Sequence, residues 1–307
     1  VLTVIFSTSV AIYTSFADSK LKKIIYLVLL MTMVSPPFVA ALSYIRLFGR
    51  RGFITYDLLG FTLNTYGWQG IVAMQTLSSI SLSALIISGV IASLDKSYIK
   101  AAKDLGADTS EIVLKIIIPL AKPGIIVVAL LSFVRSLADF GTPIIIGGGY
   151  QVLATQIYLN VIAYFDLPKA AAMSVLILIP ALIAFFVYRH YMENLKFNSS
   201  GFSISDKFEN IFKLSGKPKY LINFFVWLFL TAIILQYFTI LLTAVTTYSS
   251  GSLSFTLEHI KKLSSSRMSS FYRSIRYAFI AATIGSLIGL LLSYYIERTN
   301  LPGLAEK

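Results

Sequence analysis

Apolar residues in this chain gather in long runs separated by short polar stretches. Seven runs stand out, at about 1–16, 24–47, 70–93, 116–138, 169–189, 221–245 and 276–296. All but the first reach the roughly 20 residues that a helix needs to cross a bilayer. The first is apolar from Val1 to Phe16, and the chain does not begin with Met, so the sequence is expected to start inside a span. At the far end, Leu301 to Lys307 stops in a polar loop. Pro36, Pro37 and Pro180 lie inside runs, where membrane helices tolerate them, and the Pro36–Pro37 pair predicts a kink or an unwound turn. The pattern predicts an all-α, polytopic transmembrane helical bundle.

One polar stretch is built differently from the rest. From Asp95 to Asp108 the chain is charged and helix-forming, with Ala101, Ala102 and Leu105 expected on one helical face. Gly106 can take the left-handed conformation that ends a helix. Asp108 and Glu111 have capping-box spacing, so a second helix can start at once. Pro119 and Pro123 allow another break before the chain re-enters the membrane. The expected product is a compact helix-turn-helix knob, of a size to fill a partner's groove.

Composition agrees with a membrane protein. Of 307 residues 56% are hydrophobic and 13% charged, and the mean hydropathy is +0.78. A soluble domain carries about 25% charged residues. The net charge of +12 sits mainly in loops, where topology and anionic lipid headgroups account for it without nucleic acid. The chain has no cysteine, which excludes disulfides, thiolate metal sites and cysteine nucleophiles. His190 and His259 lie far apart at span margins, and no metal site is expected.

Orientation follows from Lys and Arg. The loop 94–123 carries Lys96, Lys100, Lys103, Lys115 and Lys122, and the polar connector 189–220 is also basic, whereas 139–168 has neither Lys nor Arg. The first two are therefore placed in the cytoplasm and the third outside. Alternation puts 17–23 inside, and it leaves Arg50, Arg51, Lys261, Lys262 and Arg267 outside against the rule. An internal similarity between Tyr13–Leu21 and Ser293–Leu301, offset by about 280 residues, suggests tandem halves. It places a counterpart of 221–245 about 60 residues before Val1 and a second knob near position 380.

Few side chains in the spans invite chemistry. Arg135 and Asp139 are four apart near the outer end of a span, and two readings stand: a self-neutralising pair that fixes packing, or contact with a solute. Gln75, Ser79 and Ser83 form a polar stripe at successive i, i+4 positions, either lining a pathway or packing helix on helix. Arg46 can snorkel, and Tyr44, Trp68, Tyr158 and Trp227 fit interfacial belts. Gly147-Gly148-Gly149 reads as a flexible outer turn, with contact to a solute-binding protein as the functional alternative. No glycine-rich loop ending Gly-Lys-Ser/Thr is present, so ATP would bind elsewhere.

The knob resembles the coupling loop of ABC importer permeases. That family's pattern is Glu-Ala-Ala, three residues, Gly, nine residues, Ile-x-Leu-Pro; here Ala101, Ala102, Gly106, Ile116 and Pro119 match in type and spacing. Ile118 stands at the usual Leu, and Lys100 replaces the usual Glu, which reverses a charge. Further stretches look like the fused two-half permeases of ferric iron importers: Ser35–Val39, Leu47–Gly52, Phe133–Pro143 with Gly147–Gly149, Phe165–Pro168, Phe255–Glu258 and Glu297–Gly303.

The resemblance implies a type I importer permease fold in the bacterial inner membrane. It implies a first half at 1–190, incomplete at its N-terminus and carrying the coupling loop 95–119. A cytoplasmic linker at 191–218 and the start of a second half at 219–307 would follow, incomplete at its C-terminus. It implies a transport subunit with no catalytic site or cofactor of its own, partnered by an ABC ATPase that binds the ATP and by an extracytoplasmic solute-binding protein. Ferric iron is the leading solute; relatives of this group carry aminophosphonates, thiamine, polyamines or sulfate. An ion-coupled secondary transporter is the alternative of another class. It would favour unpaired carboxylates at mid-membrane, of which the spans contain almost none.

Overall fold

The structure, a computed structural model, describes residues 1–16, 19–62, 64–193, 216–249, 252–266 and 268–298. It divides into two units, Val1–Ile240 and Leu241–Lys307.

In the first unit, α1 (Leu2–Phe16) is followed by α2 (Ser19–Val34) and α3 (Pro37–Phe48). The run expected at 24–47 is thus two helices, which meet at an elbow of 103°. The cause is local. Pro36 and Pro37 remove two helical donors, and proline pushes the residue before it out of the α region; Pro36 itself is extended, with φ −63° and ψ 146°. After a wide π-helical turn at Phe53–Leu58 comes α4 (Trp68–Ser93). It touches α1, α2, α3 and, further along the chain, α7 (Ile118–Ala138) and α8 (Gly141–Ile146).

Burial on most sides explains why α4 lacks a single apolar stripe. Its small residues let neighbours approach, and their hydroxyls bond across helices. Ser88 meets Thr14 at 3.2 Å, Ser83 meets Ser132 at 3.1 Å, and Ser81 meets Thr32. A Cβ on Gly124 of α7 would lie 2.6 Å from Val90 Cγ2, so glycine there sets how close α7 comes to α4.

The knob follows α4 as α5 (Lys96–Asp104) and the single turn α6 (Thr109–Glu111). The break expected at Pro119 and Pro123 does not occur. A π-helical turn at Ile112–Ile117 leads straight into α7, and Thr109–Ala138 forms one helical stretch of 30 residues. Pro119 falls in the first turn of α7 beside the widened turn, where its missing N–H is least missed. Beyond α7 and α8 lie α9 (Leu153–Ile162) and α10 (Leu167–Glu193). Most of the proposed linker lies outside the described residues. Then α11 (Lys217–Val245) buries Ile222, Val226, Phe229, Leu230 and Ile233 in the same core as Val10, Leu29 and Ile87.

The second unit contains the end of α11, a hairpin of β1 (Thr246–Ser249) and β2 (Ser252–Phe255), α12 (Glu258–Ser266) and α13 (Met268–Arg298). The strands are antiparallel with Thr246 opposite Phe255. They add a small β element to an otherwise helical chain, in a Thr- and Ser-rich stretch between two spans. The Thr256 hydroxyl accepts from the Glu258 N–H at 3.1 Å at the start of α12.

Five described helices are long and apolar enough to cross a membrane, or six with the elbowed pair counted as one span. The protein is an all-α, multi-pass membrane bundle.

Candidate functional site

The two ends of α4 define two ends of the first unit. At 26 residues, α4 is about 39 Å long, more than the roughly 30 Å of a bilayer's hydrocarbon core. The knob hangs from one end. A Cβ on Gly216, where the connector rejoins the described chain, would lie 3.8 Å from Ser110 Oγ, so connector and knob share that end. At the other end the Gly67 N–H donates to the Ile146 carbonyl at 3.0 Å, joining the loop that holds Arg50 and Arg51 to the lysine-free loop.

Each turn of the knob is capped. The Asp95 carboxylate accepts from the Ser97 N–H at 2.9 Å, which holds its pKa below the ordinary carboxylate value. Gly106 has φ +82°; its N–H donates to Lys103 O and that of Ala107 to Ala102 O, both at 2.9 Å, the paired closure of a Schellman turn. The capping box forms as expected, with Glu111 N–H to Asp108 Oδ1 at 2.8 Å and Asp108 N–H to Glu111 Oε2 at 3.4 Å. Lys115 donates to Glu111 at 2.6 Å, and this bond lowers the Glu111 pKa and raises that of Lys115.

The faces of α5 differ from the expectation. Ala102 turns inward beside Ile99, which is 1% exposed and joins the central core together with Ile112, Val113 and Ile117. Ala101 and Leu105 turn outward with Tyr98, at i, i+3 and i+7, and Leu105 is 89% exposed. Lys100 is exposed on the same short helix, with no carboxylate within 4.0 Å among the described residues. Ile116 packs against the core and Pro119 is exposed, so the pattern residues serve both faces of the knob.

Near the other end, a cavity of about 230 Å³ opens beside the elbow and is lined by Ser35, Gln75, Ser79, Arg135, Ser136 and Asp139, among others. Four of the five residues singled out in the spans therefore meet. Ser83 does not: it is 3% exposed and spends its hydroxyl on Ser132.

Arg135 and Asp139 share the cavity without pairing. Asp139 caps α7, and its carboxylate turns to other partners. Its Oδ2 accepts from the Gln75 amide at 3.1 Å and its Oδ1 from the Thr142 N–H at 3.2 Å. Gln75 is held in turn by the Ser136 hydroxyl at 2.6 Å. Ser136 and Thr142 escaped the sequence reading; a serine next to Arg135 was the available signal.

Tyr44 is not interfacial: it is buried and donates to Thr65 O at 2.8 Å. The glycine turn lines a pocket of about 530 Å³ with Arg50, Tyr66 and Tyr150. There Gly148 has φ +57°, and a Cβ on Gly147 would sit 2.4 Å from Pro143 O. Among the described residues no group of three His, Cys, Asp or Glu is placed to hold a metal ion.

The described residues thus form a membrane bundle with a capped, core-anchored knob at one end and a polar cavity toward the other. Residues 4–196 match the family described as binding-protein-dependent transport system inner membrane component, and the chain belongs to that family. It is 28% identical to the ferric transport system permease protein of Actinobacillus pleuropneumoniae over 315 aligned residues, covering 99% of this chain and 45% of that protein. It is 33% identical over 156 residues to the sulfate transport system permease protein of Salmonella typhimurium, covering 49% of this chain and 56% of the relative. With the molybdenum transport system permease protein of Escherichia coli it shares 37% over 120 residues, 38% of this chain and 52% of the relative. The chain thus spans about half the length of these relatives.

Proposed function

We propose that the chain is the transmembrane permease subunit of a type I ABC importer. It passes a solute delivered by an extracytoplasmic binding protein into the cytoplasm, driven by a separate ATPase that docks on the knob and binds the ATP. The observation that carries this is the outward face of Tyr98, Ala101 and Leu105 on a helix whose other face, through Ile99, is rooted in the bundle core. An exposed apolar face on a fixed helix is what a groove in a partner can grip.

Ferric iron is the leading solute, supported by similarity to a ferric transport permease along 99% of this chain. Sulfate and molybdenum permeases support the same machinery for other solutes. The permease halves are assigned at 1–190 and from 219 onward, joined by a cytoplasmic linker at 191–218. Arg135, Asp139, Gln75 and Ser79 are assigned to the solute pathway and Ser83 to helix packing beside it.

The test is reconstitution with the neighbouring ATPase and binding protein. Ala101→Glu and Leu105→Glu are expected to abolish ATP-driven uptake and co-purification of the ATPase while the bundle stays folded. Uptake that survives both substitutions refutes docking at the knob. Uptake that tracks an ion gradient without ATP points to a secondary transporter instead.

A further inference from the structure

The cavity beside the elbow says something about the charge of what enters it, an inference that rests on reading this cavity as part of the pathway. A bare polyvalent metal cation needs several hard oxygen ligands, carboxylates above all. Among the described residues Asp139 is the one carboxylate lining the cavity. Each of its oxygens already accepts a hydrogen bond, from the Gln75 amide at 3.1 Å and from the Thr142 N–H at 3.2 Å. Gln75 is anchored by the Ser136 hydroxyl, so the amide is not free to swing away.

Arg135 is in the opposite condition. Arg135 lines the same cavity, and a guanidinium is a cation with five N–H donors. Among the described residues no carboxylate lies within 4.0 Å of it. Ser35 and Ser79 also line the space, and a serine hydroxyl can donate. The volume of about 230 Å³ exceeds a single water's share of about 30 Å³ severalfold, enough for a small tetrahedral anion with some of its hydration.

We infer that this cavity is an anion site of the oxyanion class, phosphate or sulfate in type, held chiefly by Arg135. A metal solute then crosses it wrapped in anionic oxygen ligands, never as the bare cation. The ligand chemistry is the same whether the oxyanion travels free or bound to a metal.

The sign of two charge substitutions tests this. Equilibrium dialysis of radiolabelled inorganic phosphate, and separately sulfate, against the full transporter in nanodiscs is expected to show saturable binding. Arg135→Gln should weaken it by about 10- to 100-fold, the loss of a charged hydrogen-bonding partner. Arg135→Lys should keep part of it, and Asp139→Asn should tighten it, because it removes a negative charge from beside the anion. The reverse pattern, with Asp139→Asn losing binding and Arg135→Gln keeping it, marks a cation site and overturns the inference; so does phosphate and sulfate binding indifferent to Arg135.

Double-label uptake in proteoliposomes separates the two sources. Iron and phosphate entering together support a ligated metal, and sulfate or phosphate entering without iron supports the free oxyanion. If Arg135-dependent binding persists while iron is not transported, the iron reading falls and the anion site stands. If iron uptake is undiminished in Arg135→Gln, the anion site falls and the iron reading stands.

Discussion

Gly106 and Gly124 are constrained for different reasons, and the difference predicts different phenotypes. A Cβ at Gly106 would meet nothing within 4 Å, so its constraint is the φ of +82° alone. Gly106→Ala should therefore cost about 1–2 kcal/mol of local order, with Gly106→Asn milder, read as lost amide protection over 96–111. Gly124 is limited by space, because the added carbon meets the stiff Val90 side chain at 2.6 Å. Gly124→Ala should cost about 1–3 kcal/mol as an overpacked helix contact, and Val90→Ala in the same chain should restore part of the thermal stability.

The charged caps have their own pH window. Asp95 and Glu111 both have pKa values lowered by hydrogen bonds, from Ser97 and from Lys115 first. A depressed carboxylate contributes stability above its unfolded pKa and loses it as pH falls through the folded one. Protection of the Ser97 and Asp108 amides, which donate to these two carboxylates, should hold at neutral pH and fall at acid pH below the ordinary carboxylate range once corrected for intrinsic exchange. Asp95 is exposed and Glu111 half-exposed, so solvent screening keeps the effect small and local.

At the scale of elements, α5 separates anchoring from docking. Ile99→Ala should destabilise the protein by about 2–5 kcal/mol, as truncation of a buried core side chain. Leu105→Glu, on the opposite face, should leave the melting temperature unchanged and remove the ATPase.

Much of the knob was legible because its signals are local: a capping carboxylate, a glycine stop and a capping box each act within four residues. The elbow was half legible. Pro36–Pro37 announces an interruption, but the 103° angle depends on α3 packing its Ala41 and Tyr44 near Met74 and Ile146, contacts distant in sequence. The Arg135–Asp139 spacing could not disclose the carboxylate's other partners, the Thr142 N–H and Gln75, the latter distant in sequence. The faces of α5 were misjudged because Leu105 caps the helix, where apolarity does not imply burial.

For the whole molecule, the lack of cysteine makes topology directly measurable. Lys100→Cys and Gly149→Cys introduce single thiols at exposed positions on opposite ends of the first unit. In intact cells an impermeant maleimide should modify Gly149→Cys and should reach Lys100→Cys only after permeabilisation. Modification of both from outside would remove the cytoplasmic placement of the knob.

The unbroken helix from Thr109 to Ala138 has a mechanical consequence. At 30 residues it is about 45 Å long. Tilted by about 5° about its knob end as one body, it carries its far end through about 4 Å. Arg135, close to that far end, would therefore move by about the length of a hydrogen bond, enough to shut or spill the cavity. Had the two prolines snapped the rod, the stroke would have died in the joint.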